Sequence, residues 1–146
     1  GGGYFGNTGT KLYLDNSILA GNTDESPMIT ANDCQGDLHA TYSLIGQVGM
    51  CSFDPSSVAN LYSFSTPLDP LLGSLAYGGY STQTHPILIG SPVIDMGKPS
   101  GCVNPFNDLI EYDQRGEVRH SGWGCDMGAY ESSFVGWRVF MPMIQR

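Results

Sequence analysis

The chain has 146 residues and a formal net charge of −8, with six Lys and Arg against 14 Asp and Glu. That balance argues against nucleic acid, whose phosphates need matching cations, and against an anionic membrane surface; a neutral polysaccharide or a cell-surface protein remains open as partner. The length suits one domain with a true core, while 20 Gly, 9 Pro and a 14 % share of charged residues, well below the typical ~25 %, predict turns and strands rather than helices.

The opening "GGGYFGNTG" reads as the interior of a longer chain. In "KLYLDNSILAGNT" (11–23), Leu12 and Leu14 alternate with polar neighbours, Asn16 interrupts, Ile18 and Ala20 resume the alternation, and Gly21-Asn22 turns the chain. Short runs of period two broken by Asn and Gly predict strands. A looser copy, "ATYSLIGQ" (40–47), places Ser43-Leu44 as Ser17-Ile18 stand in the first. Two such copies predict stacked rungs of a solenoid, each burying its inward side chains against its neighbours. Asn at the turns tolerates left-handed backbone and can stack between rungs.

Cys34, Cys51, Cys102 and Cys125 form no C-x-x-C pair, so zinc-ribbon and thioredoxin-like sites are not expected. Four cysteines allow three disulfide connectivities. Because each half of the chain holds two, pairing 34–51 and 102–125 is the expectation, with each bridge contributing roughly 3 kcal/mol through the unfolded state. Persistent disulfides imply an oxidising compartment, secreted or at a cell surface. No stretch is apolar and long enough to cross a bilayer as a helix, and no membrane insertion is expected.

After about Leu72 the repeats fade. "DPLLGSLAYGGYSTQTHPILIGSPVIDMG" (69–97) carries Pro or Gly every few residues, which predicts turns and very short strands. A solenoid needs an atypical terminal unit to stop its open end from pairing with other chains. Residues 1–68 are therefore expected to form rungs, 69–131 the final rungs and a cap, and 132–146 a tail in which Trp137, Phe140 and Met141 fold back on the body or on whatever the tail meets.

"GGGYFGNTG", "LYLDNSILAGNT" and "DCQG…YSLIG" resemble rungs of right-handed parallel β-helix proteins of the pectate-lyase-like superfamily. "PLDPLLGSLAYGGYSTQTHPILIGSPVIDMG", "DQRGEVR" and "CDMGAYE" resemble, in order, the C-terminal module of bacterial surface proteins of the choice-of-anchor Q type. Tyr80 and His120 depart from that pattern. The resemblance implies an all-β fold, the C-terminal rungs of a parallel β-helix with an irregular cap, preceded by further rungs of the parent chain. It also implies an extracellular or cell-surface location.

The densest charge lies in "DQRGEVRHSGWGCDMGAYE" (113–131). Asp113, Arg115, Asp126 and Glu131 could be an acid–base set, since glycosidases use paired carboxylates. The competing reading is a structural seam, with the Arg115 fork paired to a carboxylate such as Asp126 or Asp95. His85 is a general-base or metal-ligand candidate, or a ring bonded to a neighbouring turn; His39 and His120 fall in polar loops. Asp54 and Asp69 could offer oxygens to calcium, but no D-x-D-x-D-G loop exists, and no cofactor is expected. Tyr4, Phe5, Tyr13, Tyr62, Tyr77 and Tyr80 sit in or near turns, where exposed rings suit sugar stacking. The expected function is a non-catalytic β-helix module that ends a solenoid and presents loops for adhesion or glycan binding. The alternative is a fragment of a polysaccharide lyase or glycoside hydrolase.

Overall fold

A computed structural model describes residues 3–7, 9–23, 33–79, 81–104, 106–119 and 124–136. Among them the regular structure is entirely β, with no helix. The first half makes three successive passes through two sheets. The first pass supplies β1 (Tyr4–Phe5), β2 (Lys11–Asp15) and β3 (Ile18–Leu19); the second supplies β4 (Cys34–Thr41) and β5 (Leu44–Ile45); the third supplies β6 (Met50–Phe53) and β7 (Leu61–Tyr62).

All pairing between passes is parallel. Leu12 lies opposite Leu38 and Ile18 opposite Leu44, so 26 residues separate the partners in both sheets. β6 takes the other edge of β4, with Phe53 opposite Leu38, and β7 lies beside β5, with Leu61 opposite Leu44. The similar placing of Ser17-Ile18 and Ser43-Leu44, legible in the sequence, is thus a true register.

The corner between the sheets recurs in every pass. Asn16, Tyr42 and Ala59 each have positive φ, 47°, 48° and 56°. Asn adopts this left-handed conformation readily; for Tyr and Ala it costs roughly 1–2 kcal/mol. A polar ladder offsets that cost. The Ser17 N–H donates to Ser43 Oγ at 3.1 Å, the Ser43 N–H donates to Asn60 Oδ1 at 2.9 Å, and Asn60 Nδ2 donates to the Ala40 carbonyl at 2.6 Å.

Leu44 and Ile45 are neighbours on one strand, so they point to opposite faces, and both are fully buried. Ile45 joins Leu38, Ala40 and Val48 in the core between the sheets, against Leu12, Leu14, Leu19 and Phe53. Leu44 joins Ile87, Val93, Ile94 and Met127 on the outer face of the second sheet. That sheet is therefore a shared wall, apolar on both sides, as buried parallel strands commonly are.

The segment 69–131 differs from the rungs the sequence predicts for it. Among its described residues every pairing is antiparallel and local: β8 (Ala76–Tyr77) with β9 (Gln83–Thr84), and the bridges Leu72 to Ile87, Val103 to Leu109 and Tyr112 to Val118. The segment covers the outer face of the second sheet instead of stacking as further passes. The reason is visible in the residues. Pro70, Pro86 and Pro92 remove ladder donors, while Leu72, Ile87, Val93 and Ile94 need burial and find it on Ile18, Leu44 and Leu61. Gly128 sits at the closest approach. Its φ is +97°, a Cβ there would lie 2.9 Å from Ile18 Cδ1, and its N–H donates to the Asn16 carbonyl at 2.7 Å.

Both disulfides form as expected, Cys34–Cys51 and Cys102–Cys125. The first ties the start of β4 to β6. Beside it, buried Asp33 accepts the Asn22 N–H and the Gln47 N–H, at 2.9 and 2.8 Å, joining two turns. Tyr80, His120, Trp137, Phe140 and Met141 lie outside the described residues.

Candidate functional site

The charged stretch folds into one buried network. Asp113 begins a tight turn closed by Gly116, whose φ is +79°. Asp113 Oδ1 accepts the backbone N–H of Arg115 at 2.7 Å and of Glu117 at 3.1 Å. Asp113 Oδ2 accepts Arg115 Nε at 2.9 Å, Arg115 Nη2 at 2.7 Å and the Glu131 N–H at 2.9 Å. Burial alone would raise the Asp113 pKa, but the donors from Glu131, Arg115 and Glu117 together outweigh it and hold the carboxyl below its ordinary value. Arg115 also donates to the Glu131 carbonyl at 2.6 Å, and its guanidinium lies over the Tyr130 ring, 3.4 Å from the centroid.

The expected partner for Arg115, Asp126 or Asp95, is therefore corrected to Asp113. The sequence brings Arg and Asp together across one tight turn, and this local pairing leaves no need for a distant carboxylate. Asp126 and Asp95 serve the backbone instead. Asp126 accepts the Asp95 N–H at 2.8 Å and the Ser132 N–H at 2.6 Å, and Asp95 accepts the Gly136 N–H at 2.7 Å. Asp95 itself has φ +56°.

Arg119, which the sequence reading did not single out, is the second anchor. Its Nη1 donates to Glu131 Oε2 at 3.1 Å and its Nη2 to the Gly128 carbonyl at 2.7 Å. Glu131 Oε2 also accepts the Asp126 N–H at 3.1 Å. Glu131 thus links the Asp113 end to the Asp126 end. A signal for Arg119 was present: in a chain with so few cations, one four residues from Arg115 and two from Glu117 should find a partner.

This arrangement suits closure rather than acid–base chemistry. A glycosidase pair needs one carboxyl raised to act as an acid and both open to the substrate. Asp113, Asp126 and Glu131 are all buried, and Asp113 is shifted the opposite way.

His85 is separate from this network. It is exposed, and its Nδ1 meets the Gly73 carbonyl at 2.8 Å. A carbonyl can only accept, so Nδ1 carries the proton of this bond. It borders a cleft of about 930 Å³ between the first pass and the β8–β9 hairpin.

A second polar group crosses the outward face of the first sheet. Lys11 Nζ pairs with Asp54 Oδ2 at 2.5 Å, Ser56 Oγ donates to Asp54 Oδ1 and lies 3.2 Å from His39 Nδ1, and the His39 ring tilts against Tyr13 at 5.3 Å. The Lys11 bond, with those from Ser56, holds Asp54 well below the usual carboxylate range. The same bond raises Lys11. His39 is thus a strand residue on β4, not a loop residue as its polar surroundings suggest. Asp54 is engaged by Lys11, and Asp69 Oδ1 accepts the Leu71 N–H at 2.8 Å. Among the described residues no group of three or more His, Cys, Asp and Glu side chains is placed to hold a metal ion. Phe5, Tyr13, Tyr62 and Tyr77 are exposed, whereas Tyr4 packs on the core.

No family model matches the chain, and no curated protein or solved structure matches it either.

Proposed function

We propose that the chain is a non-catalytic module of an extracellular or cell-surface protein, in which the three passes are rungs of a right-handed parallel β-helix of the pectate-lyase-like kind. Residues 1–68 form the rungs, 69–131 a closing unit of the choice-of-anchor Q type, and 132–146 a tail. Support for the rungs comes from the parallel pairing of successive passes, in which β2 and β3 share one 26-residue register with β4 and β5, and from the recurring left-handed corner. Two disulfides suit an oxidising compartment. No helix among the described residues is long and apolar enough to cross a membrane.

The observation that carries the non-catalytic reading is the use of every candidate carboxylate of 113–131 in backbone or guanidinium hydrogen bonds. The module would present its edges and exposed rings for adhesion or for glycan binding, with a polysaccharide or a cell-surface protein as partner. The test is a panel of plant, algal and bacterial polysaccharides incubated with the oxidised chain, with and without calcium, scored for retained protein and for released unsaturated and reducing ends. Retention without products is expected. Products lost in a folded Asp113→Asn or Asp126→Asn variant would make the charged stretch an active site and overturn the reading.

A further inference from the structure

We infer that the cleft between the first pass and the β8–β9 hairpin is a binding site for a neutral oligosaccharide, an inference that rests on the non-catalytic reading above. Its volume of about 930 Å³ is near the upper end of the ~300–1,000 Å³ typical of ligand sites. Ile18, Leu72 and Tyr130, each partly exposed, give it an apolar floor, and Gln83, His85 and Gln114 stand on its rim.

The rim has capacity to spare. The Gln83 side chain makes no hydrogen bond among the described residues, Gln114 Nε2 makes only a long bond of 3.4 Å to the Gln83 carbonyl, and His85 uses Nδ1 alone. Amides and an imidazole both donate and accept, as sugar hydroxyls do, while an apolar floor suits the C–H faces of a pyranose.

The charges select against an acidic sugar. Asp15 and Asp69 border the cleft. Among the described residues the one Lys or Arg lining it, Arg119, already serves Glu131 and the Gly128 and Asp126 carbonyls. A polyuronate would bring negative charge to a site where the described residues offer no free counter-charge.

The walls are also set before any ligand arrives. The hairpin is tied by the β8–β9 pairing and the Leu72 to Ile87 bridge, and the opposite wall by the Gly128 bond to Asn16. Tyr130, which lines the cleft, is held by the Arg115 stack. Little ordering remains to oppose binding.

The test is a titration of the ¹⁵N-labelled oxidised chain with cellohexaose, mannohexaose, xylohexaose and maltohexaose, with hexagalacturonate as the charged comparison, followed by NMR. At least one neutral hexaose is expected to shift the Gln83 and Gln114 side-chain amides and the His85 ring. The Gln83→Ala/Gln114→Ala variant, which leaves the core and the charged network intact, should weaken binding about tenfold or more, and hexagalacturonate should leave these signals in place. The inference fails if no neutral hexaose moves them at roughly millimolar concentration, if the double variant binds as well as the native chain, or if hexagalacturonate binds more tightly. Any of these outcomes leaves the non-catalytic reading standing. Released products would sink that reading even where cleft shifts record binding.

Discussion

Replacing Asp113 by Asn keeps the shape of the side chain and removes its charge. The native carboxylate accepts five hydrogen bonds, two at Oδ1 and three at Oδ2. An amide can keep the Oδ1 pair, but its NH2 would then face Arg115 Nε, Arg115 Nη2 and the Glu131 N–H, three donors against a donor. Flipping the amide moves the clash to the other two. Removing one partner of a buried ion pair costs about 3–5 kcal/mol. Arg115 would retain the Glu131 carbonyl and the Tyr130 ring, which places the loss near the lower end, about 3 kcal/mol, or roughly 10 °C in Tm for a chain of this size. Urea denaturation with the disulfides intact measures it. Adding Arg115→Met should recover part of the loss, since the unpaired buried charge goes with it. A change within about 0.5 kcal/mol, the range of ordinary surface substitutions, would refute the reasoning. The pH dependence follows from the sign of the shift. A carboxyl held below its unfolded value of about 3.9 contributes fully above that pH and loses its contribution as pH falls through the folded value. The native chain should therefore weaken in acid, and its advantage over Asp113→Asn should shrink below about pH 4.

Three further outcomes are expected. Cys34→Ser/Cys51→Ser and Cys102→Ser/Cys125→Ser, which open bridges of sequence separation 17 and 23, should each lower stability by about 3 kcal/mol in urea melts, with the native urea slope retained if the fold survives. Gly128→Ala should destabilise more than Gly21→Ala: both have positive φ, but only Gly128 has a neighbour, Ile18, in the way of the new methyl, and equal thermal midpoints would contradict the close approach. Lys11→Met should barely move the urea midpoint, because the Lys11–Asp54 pair is solvated; a large loss would mean that the pair clamps the three strands.

Where the physics is local, the sequence was legible. The alternation of Leu12 and Leu14, the break at Asn16 and the shared Ser17-Ile18 and Ser43-Leu44 pattern led to parallel strands and to their register, because a period of two and a turn residue depend only on near neighbours. The disulfides followed from cysteine proximity along the chain. What was not legible depended on distant contacts. Nothing in "LI" at 44–45 says that one side chain faces the inner core and the other a separate layer made of Ile87, Val93 and Met127. The closing unit was accordingly expected at the end of the stack and is found on its flank. The third pass was hidden for another reason. Its partners lie 15 residues away at Leu38 and Phe53 and 17 at Leu44 and Leu61, so the 26-residue repeat does not reach it. Within the charged stretch the residue types pointed to a seam. The choice among Asp95, Asp113 and Asp126 for Arg115 turned on a four-residue turn that a flat reading passes over.

The described residues of 113–131 close the fold. Native-state hydrogen exchange tests this closure most directly, read at the amides of Arg115, Glu117, Glu131, Ser132, Asp95 and Gly136, each of which donates to a carboxylate. These amides are expected to open together with those of β4 and β5, at the free energy of global unfolding. Exchange of the six through a low-energy local opening, with β4 and β5 still protected, would contradict it and reopen the reading of the charged stretch as an acid–base set.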